Sequence, residues 1–174
     1  MPADRFFAEA AFPAPRRHHD PLTARTVFVA PKRAGRPIEA DAAAQTAARL
    51  VDCPFCAGNE ALTPPAVLCM PAAAAGRWHA RIIPNRYPVV EDLVDDHRAG
   101  QSTPHSCPAH GVHDVVIEAA DHVRSILAVA PAHWRDVWEL CRQRLAALAD
   151  RRDLAWATVF KNSGPRAGIL EHRG

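Results

Sequence analysis

The apolar positions Trp134, Val137, Trp138, Cys141, Leu145 and Leu148 recur at three- and four-residue spacings between Pro131 and about Asp150. That period places them on one face of an α-helix. Proline suits the start, where its missing N–H would have no partner anyway. Elsewhere the apolar runs are short. "TVFVAP" (26–31) reads as a short buried strand cut off by proline, followed by the basic loop "KRAGRP" (32–37). Residues 38–50 are alanine-rich and read as a weak helix or a surface loop. "PPAVLCMP" (64–71) is a small apolar segment fenced by prolines, and "WHARIIPNRYPVV" (78–90) a strand that stops at Pro84 and turns through Asn85. Residues 91–110 read as a polar loop. "HDVVIEAADH" (113–122) has a strand core from Val115 to Glu118 and a polar turn at Asp121 and His122. "DLAWATVFKN" (153–162) reads as a further strand leading into the turn "SGPRAG". Strands with one long helix between two of them predict an α+β domain in which that helix covers one face of a sheet.

Composition narrows the class. At 174 residues, 48% hydrophobic and 23% charged, the chain can bury one substantial core. With 16 prolines and 8 glycines it also carries long irregular connections. A net charge of +2 gives no whole-chain attraction to nucleic acid or to an anionic membrane. No apolar run approaches the roughly 18 residues of a membrane span, so the expected location is the cytoplasm. Five cysteines, irregularly spaced, argue against a disulfide framework. Cys69 and Cys141 sit among apolar neighbours as core residues, whereas Cys107 is open to either reading.

The sharpest chemical signal is "DCPFCAGNE" (52–60). Two thiolates from Cys53 and Cys56 supply half of a tetrahedral zinc site, whose other half comes from distant ligands. No second Cys-x-x-Cys exists, so histidines must supply it. His122 lies just past a strand end and His172 just past a turn, and Cys53, Cys56, His122 and His172 would form a closed set. A redox pair, or a tight turn with buried thiols, is equally compatible with the spacing alone. His113 is a rival ligand that reads better as a satisfied histidine at a strand's start.

Four ordered segments add to this: "DPLTARTVFVAPKRAGRP" (20–37), "CPFCAGNEALTPP" (53–65), "RWHARIIPNRYP" (77–88) with "GVHDVVIEAADH" (111–122), and "VFKNSGPRAG" (159–168). Together they resemble the N-terminal half of galactose-1-phosphate uridylyltransferases, in the histidine-triad superfamily. ADP-sugar phosphorylases of the same branch share much of the pattern. The resemblance implies an α+β half-barrel around an antiparallel sheet, here incomplete, over residues 20–174 after an irregular lead-in at 1–19. It implies a Zn2+ site on Cys53, Cys56, His122 and His172. It also implies nucleotidyl transfer through a uridylyl-histidine, between a UDP-sugar and a sugar 1-phosphate, in enzymes that are homodimeric. Arg33 and Arg36 match arginines suited to phosphate oxygens, and Asn85 and Asn162 match asparagines that contact nucleotide and phosphate. Without the resemblance, the arginines read as a solvated basic loop and the asparagines as turn formers.

The motif departs from the family at its end. The zinc histidine is expected to be followed by proline and then the nucleophilic histidine. This chain reads Glu171, His172, Arg173, Gly174, and the turn before Leu170 is one residue shorter. Gly174 stands where the nucleophile is expected, so no catalytic residue is assigned. The first expectation is a fragment of a uridylyltransferase. The alternative is a non-catalytic, zinc-stabilised nucleotide-binding module or an ADP-sugar phosphorylase-type nucleotidyltransferase. Under both, the 174-residue chain incubated with UDP-glucose should show no mass increase corresponding to covalent UMP, and a UMP adduct in its intact mass would contradict the assignment.

Overall fold

A computed structural model of the protein describes residues 13–36, 53–71, 77–92, 102–123 and 126–162. The chain forms two compact units, Met1–Arg36 with Tyr87–His113, and Pro37–Arg86 with Asp114–Gly174.

In the first unit, β1 (Arg16–His19) lies between β2 (Thr26–Val29) and β5 (Ser106–Pro108), antiparallel to both. The β1–β2 turn is closed by Asp20, whose carboxylate accepts from the Leu22 N–H at 2.9 Å and the Thr23 hydroxyl at 2.5 Å. Such side-chain acceptance two residues on is the aspartate turn chemistry that ends a strand. Across the sheet, Arg16 Nε donates to Ser106 Oγ at 2.9 Å and fixes β5 to β1. After β2 the chain enters a 3-10 turn, Pro31–Gly35.

In the second unit, β4 (Ala80–Pro84) is the centre of an antiparallel sheet, with β3 (Leu68–Met70) on one side and β6 (Asp114–Ile117) on the other. The register aligns Leu68, Ile82 and Val116 in one row and Cys69, Arg81 and Ile117 in the next. Successive residues point to opposite faces. On one face Ala80 and Ile82 pack with Val137 and Leu140 of α1 (Pro131–Ala149), flanked by Leu68, Met70, Val116 and Trp134. On the other, Ile83 and Ile117 pack with Trp78 and Ala120, flanked by Phe55, Ala57, Cys69 and Val115. A strand covered on both faces needs continuous apolarity rather than alternation. Arg144 of α1 pairs with Asp114 at 2.8 Å and fixes the helix along β6.

The α+β class and the helix that covers one sheet face are as the sequence pattern predicts, with two small sheets in place of one. β1 occupies the end of the segment read as an irregular lead-in. β5 lies within the segment read as a loop, of which residues 93–101 fall outside the described residues. Two readings are corrected. Strand β2 is exposed at all four positions, not buried, because it is an edge strand with no layer over it among the described residues. Residues 153–162 contain no strand: no described residue hydrogen-bonds to them in a ladder, and 155–162 are exposed. Residues 38–50 lie outside the described residues. The helix buries Leu140, which its spacing pattern omitted, while Trp138 is 58% exposed. Leu140→Ala should therefore cost about 2–5 kcal/mol and Trp138→Ala about 0.5 kcal/mol or less, as measured by urea unfolding.

Candidate functional site

The Cys53–Gly58 segment is a hydrogen-bonded turn. The Cys56 N–H donates to the Cys53 carbonyl at 3.2 Å, which also accepts from Asn59 Nδ2 at 2.8 Å. Gly58 takes a left-handed φ of 96°, available to glycine without a Cβ penalty. Its N–H donates to the Glu60 carboxylate at 3.0 Å. Glu60 also accepts from Trp78 Nε1 at 2.6 Å, and this bond above all holds its carboxyl below the usual range.

Behind the turn lies Arg81, only 2% exposed. A buried guanidinium is costly unless its donors are used. Nη2 donates to the Pro54 carbonyl at 3.2 Å, Nη1 to Thr63 Oγ1 at 3.1 Å, and the group lies 4.8 Å from the Trp78 ring centroid. Arg81 thus grips the turn from the central strand. A second tether is the Ala57 N–H, which donates to the Ala120 carbonyl at 2.8 Å. It ties the turn to the stretch between β6 and His122.

These tethers bring Cys53, Cys56 and His122 together, with their sulfur and nitrogen atoms all within 4.8 Å of one another. Cys56 Sγ lies 3.8 Å from His122 Nδ1. Zinc bond lengths and tetrahedral angles give an S–N edge of about 3.6 Å. Cys53 is buried, Cys56 and His122 half-buried. Burial first, then the hydrogen bond and charge of Cys53, push the Cys56 thiol up to about 11. At neutral pH such a thiol is protonated until a nearby cation reverses the balance. Sulfur and imidazole donors at this spacing suit a borderline-soft divalent ion. His172, the expected fourth member, lies outside the described residues. All five cysteines are free.

The expected phosphate and nucleotide residues are distributed over both units. Arg33 lies in the 3-10 turn after β2 and Arg36 caps its end, with Arg33 Nη1 donating to the Tyr87 carbonyl at 3.0 Å. Burial, then the like charge of Arg36, lowers the Arg33 pKa. Asn85 follows β4 and is half-buried, and Asn162 is exposed at the end of the described chain. His113 accepts the Val89 N–H at Nδ1, 3.1 Å, in keeping with its reading as a satisfied histidine. Asn59, Glu60 and Arg81 were not singled out from the sequence. The alternation of β4 about Ala80 and Ile82 does place Arg81 on the turn's face of the sheet, which was the available signal.

The family described as galactose-1-phosphate uridyl transferase, N-terminal domain, matches residues 7–173. An ADP-glucose phosphorylase of Arabidopsis thaliana is 28% identical over 159 residues, which are 89% of this chain and 45% of that protein. The crystal structure of an ADP-glucose phosphorylase from Arabidopsis thaliana with bound ADP-glucose is similar at a TM-score of 0.60 and 28% identity, over 92% of this chain and 46% of that one. A galt-like protein from the same organism gives 0.59 and 25%, over 90% and 44%. A uridylyltransferase mutant, at 23% identity and a TM-score of 0.62 over 91% and 42%, shares the fold. The chain spans just under half the length of these relatives.

Glu60 generates a pH prediction. Because its folded carboxyl titrates below the ordinary range, the stability it contributes is present above that range and is lost as pH falls through the folded value. Glu60→Gln should flatten the acid limb of the urea midpoint plotted against pH and leave the neutral limb parallel to wild type. An acid limb as steep as wild type's would contradict the assignment.

Proposed function

Because the chain belongs to the galactose-1-phosphate uridyl transferase family, matching its N-terminal domain over nearly its whole length, we propose that it is the zinc-holding, sugar-nucleotide-binding half of a nucleotidyltransferase. The observation that carries the reading is the convergence of Cys53, Cys56 and His122 at the spacing of a tetrahedral ion. Those three residues would hold the zinc, with His172 as the fourth ligand. A closed site of this kind supplies folding free energy rather than an open position for substrate.

The substrate is a nucleoside-diphosphate sugar. Its diphosphate carries negative charge that grows more concentrated as a nucleotidyl group is transferred, and fixed cationic donors stabilise it there. Arg33 and Arg36 would supply those donors, guanidinium forks matching phosphate oxygens two at a time. Asn85 and Asn162 would orient nucleotide and phosphate by hydrogen bonding. Two forms of the reaction fit. Uridylyl transfer from UDP-glucose to a hexose 1-phosphate follows the family's description, and phosphorolysis of ADP-glucose is supported by the 28% identical relative named for it.

Metal analysis of the purified chain should give about one zinc per chain, and the Cys53→Ala, Cys56→Ala double variant should lose it. Unchanged zinc content in that variant would defeat the metal assignment. Calorimetric titration of the zinc-loaded chain with ADP-glucose and with UDP-glucose should show saturable binding of at least one. A tenfold preference identifies the base. A folded, zinc-loaded chain that binds neither would overturn the sugar-nucleotide reading.

A further inference from the structure

We propose that Lys161 and Glu118 form a positioning latch: their ion pair holds the arm carrying Asn162 against the end of β6 and fixes the stretch that presents His122 to the two thiols. The inference rests on the zinc reading above for its consequence, but its contacts stand independently of it.

Glu118 follows directly on β6 and is the one acidic residue buried among the described residues. A buried carboxylate must be compensated or it destabilises its surroundings. The compensation comes from Lys161, whose Nζ lies 2.6 Å from Oε2, with the two side chains 28% and 11% exposed. The same ammonium lies 5.9 Å from the centroid of the Trp134 ring on α1. The Glu118 backbone is held as well, its carbonyl 2.6 Å from His133 Nε2 of the helix. Glu118 is thus held at its side chain by Lys161 and at its carbonyl by the helix.

Among the described residues the arm has no comparable support. Residues 155–162 are exposed and form neither helix nor strand. Among the described residues, Lys161 makes the arm's polar contact with the remainder of its unit. Asn162 is the next residue, so its position depends on that ion pair. On the other side, Ala120, two residues beyond Glu118, accepts the Ala57 N–H of the cysteine turn, and His122 follows two residues later. Removing the ammonium leaves a buried, unpaired carboxylate in the middle of this chain of contacts. Movement of the 118–122 stretch toward water would relieve it, and His122 would move with it. Lys161 and Glu118 act through His122 and Asn162 and are positioning residues.

The test uses the whole chain as wild type, Lys161→Met, Lys161→Arg, and the swapped Glu118→Lys, Lys161→Glu pair. Two quantities are measured: zinc affinity by chelator competition, and the rate of chymotrypsin cleavage at Trp156 and Phe160. Ligand-field bands of the cobalt-loaded chain report whether the histidine remains a ligand. Loss of a group that orients a ligand costs tenfold or more in metal affinity. Lys161→Met should weaken zinc by at least that factor, shift the cobalt bands and accelerate cleavage, while Lys161→Arg retains wild-type values and the swapped pair recovers them in part. Wild-type affinity and cleavage rate in Lys161→Met would overturn the latch, as would a swapped pair no better than the single variant. If wild type fails to hold zinc through its cysteines, the metal reading falls. The cleavage rates then decide the latch alone: acceleration in Lys161→Met reversed in Lys161→Arg supports it, and equal rates reject it.

Discussion

The second unit depends on strand β4 being dry on both faces. Ala80 and Ile82 meet the helix, while Arg81 and Ile83 meet the layer built from the cysteine turn, and none of the four is solvated. A guanidinium in that position has no water to fall back on. The structure therefore has to supply it with acceptors, and it serves both terminal nitrogens, from the Pro54 carbonyl within the cysteine turn and the Thr63 hydroxyl beyond it, while Nε stays unpartnered. The contacts that satisfy most of one buried charge are the same ones that hold the cysteine turn in place. This is how a loop without regular secondary structure is held rigid.

Polar compensation recurs on a smaller scale around it. Trp78 fills the core with its ring and gives its one N–H to Glu60, which in turn receives the Gly58 N–H of the turn. Lys161 answers Glu118, and Arg144 answers Asp114 at the other end of β6. Exposed ion pairs such as Arg142 with Glu139 belong to a different category, since solvent screening leaves them little net effect. The pairs that matter are those whose loss would strand a charge inside.

What was legible in the sequence follows from how local each signal is. The helix announced itself by period, β4 and β6 by apolar runs with proline or aspartate boundaries, and the cysteine turn by its own two-residue spacing. Strands β1 and β5 did not. "RRHH" and "SCP" carry no apolar alternation: β5 becomes a strand by pairing with residues about 90 positions away, as Cys107 does with Arg17, and β1 by pairing with β2 and β5 on its two sides. The opposite error arose at "DLAWATVF", whose β-branched and aromatic content resembles a strand although nothing among the described residues pairs with it. Strand propensity reports fitness for a half-buried surface, and the surface must be present to be fitted. For the site, Cys53, Cys56 and His122 were readable from type and position. Asn59, Glu60, Arg81 and Lys161 were not, because each acts through a partner that only the tertiary fold supplies.

Separation along the chain also gives the cluster a history. Cys56 and His122 are 66 residues apart, so during synthesis both thiols leave the ribosome well before the imidazole that joins them. At typical elongation rates the interval is on the order of 3–13 s. For nearly all of it the turn has its two thiols but neither His122 nor the Ala120 carbonyl that receives the Ala57 amide. In that window a nascent chain is a pair of accessible thiols, open to oxidation or to capture by a thiophilic ion.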